Sequence, residues 1–157
     1  MSKASQRSAL KPDLNDELGK AKKELFREAF KRIDLSISEG FYLEAIAIIE
    51  SLICDRLETS VRVITGERTS PKNLGPLIKV LRDLPEFPSE LIEELDTWRS
   101  DRNLVMHQMV KITVNEVFDW KSRMAFARVT SIDGRSLLDK VHSATNRIKI
   151  NEKKASK

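Results

Sequence analysis

The chain has 157 residues, a formal net charge of +4, 40% apolar residues and 33% charged residues, which bounds it to one domain able to bury a core without disulfides or metals. One cysteine, Cys54, excludes an internal disulfide framework and a cysteine-built zinc site. No apolar stretch approaches the ~18 residues that span a bilayer, and the opening MSKASQRSALKP lacks the apolar centre of a signal peptide, so a cytoplasmic protein off the membrane is expected.

The charge sits at the ends. Residues 1–12 hold Lys3, Arg7 and Lys11 without an acid. Residues 145–157 hold Arg147, Lys149, Lys153, Lys154 and Lys157 against Glu152 alone. Everything between carries a small acidic excess, so the body is no bulk polyanion binder and any nucleic-acid function must rest on a local site. Residues 1–12 and 149–157 are expected to be disordered basic tails around a helical domain at 13–148.

Asp13 is the expected cap of a first helix whose apolar series runs Leu14, Leu18, Ala21, Leu25, Ala29, Ile33, Ile37, broken at Ser38-Glu39-Gly40. A second helix spans about 41–64. Its first half, FYLEAIAIIESLIC, is apolar nearly all round, as a central element must be. A short helix over 74–84 turns Leu74, Leu77, Ile78 and Leu81 inward and stops at Pro85. Ser89 is the expected cap of a fourth, with Glu90, Glu93 and Glu94 near its start. ITVNEV, from Ile112, reads as a short extended piece, and Val117, Trp120, Met124 and Ala127 then recur at helical spacing. Asp133-Gly134 marks a turn before a last helix over 135–148, with Leu138, Val141, Thr145 and Ile148 on one side. With few glycines and prolines, the sum is an all-α bundle of five to six helices.

The fourth helix carries the chemistry. Its apolar stripe is Leu91, Leu95, Trp98, Val105, Met109, Ile112, and the residue filling the gap between Trp98 and Val105 is Arg102. At about 100° per residue, Arg99, Asn103 and His107 fall about 60°, 100° and 140° round from Arg102, one polar arc opening at the edge of the core stripe. A guanidinium there is poorly solvated and needs an anion or an interface. Histidine moves protons near neutral pH, and arginine clamps phosphate and steadies charge growing on its oxygens, so the set suits phosphodiester cleavage. One histidine is short of an acid–base pair, and two-fold pairing of chains would supply the second.

Arg102-Asn103-Leu-Val-Met-His107 resembles the R-x(4–6)-H motif of the HEPN superfamily (higher eukaryotes and prokaryotes nucleotide-binding), in which a polar residue, often Asn, follows the Arg. The long apolar second helix and the late motif helix resemble its architecture over about 14–148. The resemblance implies an all-α, HEPN-like up-and-down bundle and a homodimeric, metal-independent endoribonuclease that needs no cofactor. His107 would assist attack of the ribose 2′-OH on the adjacent phosphate, Arg102 would hold that phosphate, and Asn103 would support one of them, leaving a 2′,3′-cyclic phosphate and a 5′-OH. Many prokaryotic members look like toxins or antiviral effectors, sometimes paired with a nucleotidyltransferase antitoxin.

Around that motif, Arg99 and Lys111 are candidate contacts to RNA phosphates or solvated charges. Glu50, which interrupts IIESLI, is a candidate partner of Arg102 or His107, and the bland reading of Arg102 itself is a salt bridge to an acid of the second helix. His142 reads as structural, Cys54 as a small hydrophobe, and Trp98 and Trp120 as core. Two histidines without an H-x3-H pair make no convincing metal site. The competing functions are a non-catalytic HEPN-like dimeric helper or nucleotide-binding module, a phosphotransfer domain (for which small residues around His107 are missing) and a purely structural helical protein.

Overall fold

The computed structural model describes residues 14–111 and 119–155, all helical apart from turns and connections: α1 (Leu14–Ser38), α2 (Tyr42–Thr65), α3 (Leu74–Leu81), α4 (Ser89–Gln108) and α5 (Trp120–Ala155). The protein is an all-helical bundle. The expected N-terminal tail, the Asp13 cap and the extended piece at 112–118 lie outside the described residues.

The central place expected for α2 is observed. It touches each of the other four helices, and Ala45, Ile46, Ile49, Leu52, Ile53, Leu57 and Val61 are buried along it. Gly40, at φ +82°, ends α1 in a way only glycine adopts cheaply: its N–H donates to the Ile37 carbonyl while that of Phe41 donates to the Ser36 carbonyl. α3 buries the four side chains its spacing indicated, Leu74, Leu77, Ile78 and Leu81. At the start of α4 the cap is Pro88 rather than Ser89. The Pro88 carbonyl accepts from the Leu91 and Ile92 N–H groups, and Ser89 is the first helical residue.

α1 departs from its expected face. Leu18 and Leu25 are 69% and 68% exposed, whereas Ile33 is fully buried. Repeated steps of four carry a stripe about 40° round the helix each time, so Leu25 lies about 80° from Ile33. The face that packs is Phe26, Ala29, Phe30, Ile33 and Ile37, with the Arg56 guanidinium 4.4 Å from the Phe26 ring centre. Leu25→Gln is therefore expected to change stability by less than about 0.5 kcal/mol in urea unfolding, as exposed substitutions do.

α5 departs more. The expected turn at Asp133-Gly134 is absent. One helix runs unbroken from Trp120 through Gly134 to Ala155, and its last turns take in residues 149–155 of the expected tail. Gly134 is there for contact. A β-carbon built on it would lie 2.6 Å from Nε1 of Trp98 and 2.7 Å from Cε2, so the indole lies directly against the α5 backbone. That approach lets Nε1 donate to the Thr130 carbonyl at 2.9 Å. Trp98 is thus the buried bolt between α4 and α5, whereas Trp120, expected in the core, is 60% exposed at the first turn of α5. Leu138, Val141, Thr145 and Ile148 are buried as expected.

Candidate functional site

Arg102 fills its gap in the α4 stripe by meeting the other interruption. The Glu50 carboxylate, from the middle of α2, is ion-paired to Nη2 of Arg102, with the side chains 23% and 19% exposed. Nη1 donates to Oδ1 of Asn103 at 2.6 Å. Nε is buried with no hydrogen-bond partner among the described residues. Burial pulls the guanidinium below its ordinary pKa, yet an arginine has so much to spare that it stays charged. Arg102, Asn103 and Glu50 therefore form one compact group where α4 crosses α2. The charge of Arg102 is matched inside the protein, as the bland reading of that residue required.

His107 is apart from this group. It is exposed in the last turn of α4, about 7.5 Å further along the axis and about 140° round from Arg102. Among the described residues nothing hydrogen-bonds to its imidazole. One chain thus brings Arg102, Asn103 and Glu50 together and leaves the imidazole presented outward.

Arg99 is engaged too. Its Nε and Nη2 donate to Oδ1 of Asp96 at 3.0 and 2.9 Å, and Nη2 of Arg82, beyond the end of α3, donates to the other oxygen at 2.9 Å. The hydrogen bonds of Arg99, then the charges of Arg99 and Arg82, hold the Asp96 carboxyl below the usual carboxylate range against the opposing pull of burial. These residues line a cleft of about 330 Å³ between α3 and α4, with Lys79 on its rim. Sequence reasoning missed Lys79 and Arg82. Their signal was a pair of exposed cations three apart, Lys79 on α3 and Arg82 just past its end, but nothing local tied them to Asp96. Lys111 is exposed just past α4, and its carbonyl accepts from Nη2 of Arg123 at 2.6 Å.

Two other groups are packed into the bundle. His142 packs edge-on against Phe30 with ring centres 6.3 Å apart. Burial first, and then the Arg56 charge, lower its pKa, so the ring is neutral at neutral pH. Burial, with help from Glu58, pushes the Cys54 thiol up to about 11. A thiol so raised is protonated at pH 8, where the unfolded thiol is partly ionised. Native protein is expected to react with a disulfide reagent at least tenfold more slowly than urea-unfolded protein, read from thiol-release kinetics. No group of three or more metal-ligating side chains occurs among the described residues, and none of their helices is long and apolar enough to cross a membrane.

Comparisons with protein-family models, with curated proteins and with solved structures gave no match to this chain.

Proposed function

We propose that the protein is a HEPN-like, metal-independent endoribonuclease acting as a homodimer in the cytoplasm. The observation that carries this reading is the division of labour on α4. A guanidinium is fixed in the wall of the bundle by Glu50 and Asn103, and an exposed imidazole stands further along the same helix, free to meet a second chain. Two copies related by a two-fold axis would bring two imidazoles to one scissile link. One His107 would take the proton of the ribose 2′-OH as O2′ bonds to phosphorus. The second copy's His107 would return a proton to the departing O5′ as the P–O5′ bond breaks. Arg102 would offset the charge growing on the phosphate oxygens. The products would be a 2′,3′-cyclic phosphate and a 5′-OH, and the biological role that of a toxin or antiviral effector, held in check by a nucleotidyltransferase-type antitoxin or acting inside a defence complex.

One observation favours a second reading. Glu50 already satisfies the charge of Arg102, which is what a non-catalytic HEPN-like helper or nucleotide-binding module would need for packing alone. The test is incubation of the purified chain with single-stranded RNA in chelator, with end-group analysis of the products and light scattering for the assembly. Cyclic-phosphate ends from a dimer support the nuclease. Intact RNA, or a monomer, overturns it.

A further inference from the structure

The cleft between α3 and α4 gathers three cations, Lys79, Arg82 and Arg99, around one carboxylate, Asp96. Asp96 divides itself between the two guanidinium groups and exhausts neither. Nε and Nη1 of Arg82 and Nη1 of Arg99 are engaged by no described residue, and Lys79 has no ion pair among them. The nearest further acid, Glu93, stands 4.0 Å from Arg82 and is 73% exposed, so water screens it. What Asp96 supplies is alignment. It fixes two planar, forked donors at the mouth of a concave space, with spare N–H groups for an anion.

The cleft is continuous with the polar arc of α4. Steps of four lead from Arg99 to Asn103 to His107, about 12 Å along the axis and turning only about 40° at each step. A strand held by its phosphates in the cleft could lie along that strip with a later linkage at His107. We propose that the cleft formed by Lys79, Arg82 and Arg99 is a phosphate subsite that anchors single-stranded RNA upstream or downstream of the bond presented to His107. The inference rests on the RNA-cleaving reading above for the identity of the strand, and it adds Lys79 and Arg82 to the binding surface.

The test is binding of a short fluorescein-labelled oligouridylate with 2′-O-methyl riboses, followed by anisotropy over a range of salt concentrations. The methyl groups block cleavage, so binding is read separately from catalysis. Lys79→Gln combined with Arg82→Gln should weaken binding about tenfold and make the salt dependence shallower by about 1.4 in the log–log slope, two phosphate contacts on a single strand. Lys23→Gln combined with Arg62→Gln, exposed cations elsewhere, should change affinity less than twofold. Because Arg82→Gln breaks an ion pair, Lys79→Gln alone, which breaks none, should still lower the slope by about 0.7. Equal losses in cleft and control variants, or an unchanged slope in both cleft variants, overturn the proposal. So does displacement of the oligomer by equimolar ATP, which would make the cleft a nucleotide site. Cleavage of unmodified RNA is followed in parallel. Cleft-dependent binding without cleavage sinks the nuclease and leaves the subsite. Cleavage with cleft-independent binding, or with none, sinks the subsite alone, and neither binding nor cleavage sinks both.

Discussion

Trp98→Ala is expected to cost about 3–5 kcal/mol, the largest loss of stability available from one side chain on α4. The indole is 4% exposed, and its Nε1–H bond to the Thr130 carbonyl goes with it. Gly134 makes a sharper test. Alanine is worth about 1 kcal/mol more than glycine inside a helix, so Gly134→Ala would stabilise α5 if packing were indifferent. Here the new methyl would enter the space of three indole atoms, all within 2.8 Å, and would push the ring off the carbonyl. The expected net result is a loss of about 1–3 kcal/mol, the usual range for an overfilled core. In the Trp98→Ala background the obstacle is gone, and the same substitution should turn favourable by up to about 1 kcal/mol. Urea unfolding of the four proteins of this cycle reads the coupling directly. Additive effects would mean that Trp98 does not rest on the α5 backbone.

That contact also explains what the sequence could and could not reveal. A glycine serves either a left-handed turn or a close approach, and the two look alike until the partner is known. Gly40 is the first kind, and Asp133-Gly134 reads as the first kind while being the second, because Trp98 lies far away along the chain. The stripe of α3 was legible since so short a helix, packed on α2 and α4, buries a single face. The stripe of α1 was legible only where it packs, at Ala29, Ile33 and Ile37. Further back, Leu18 and Leu25 kept the spacing but wound off the contact line, and spacing alone does not say where a neighbour ends. At the candidate site, two breaks in apolar runs, Glu50 in α2 and Arg102 in α4, were each visible alone. A charge of each sign set into two buried faces is a pairing signal, and the structure pairs them. The alignment of Arg82 and Arg99 on Asp96 had no such signature, since all three sit on polar faces where charges are ordinary.

The ion pair sharpens the test of catalysis, because Arg102 has two possible duties that one substitution does not separate. Arg102→Ala removes the charge opposite Glu50 and strands a half-buried carboxylate, so lost activity could follow from lost structure. Arg102→Lys keeps a cation facing Glu50 and gives up the planar fork and the bond to Asn103. It is expected to lower stability by about 1 kcal/mol and cleavage of RNA by about 100-fold, the scale of losing one donor to a developing anion. His107→Ala should leave unfolding within about 0.5 kcal/mol of the parent, as an exposed side chain does, while cutting cleavage by about 10²–10⁴-fold, the scale of general acid–base catalysis. Rates under single-turnover conditions, beside urea unfolding of the same preparations, check both. If Arg102→Lys cleaves at the parent rate, the guanidinium is there for Glu50 alone. If His107→Ala also keeps that rate, α4 carries no active site, and the polar arc between its two ends is left as packing and solvated surface.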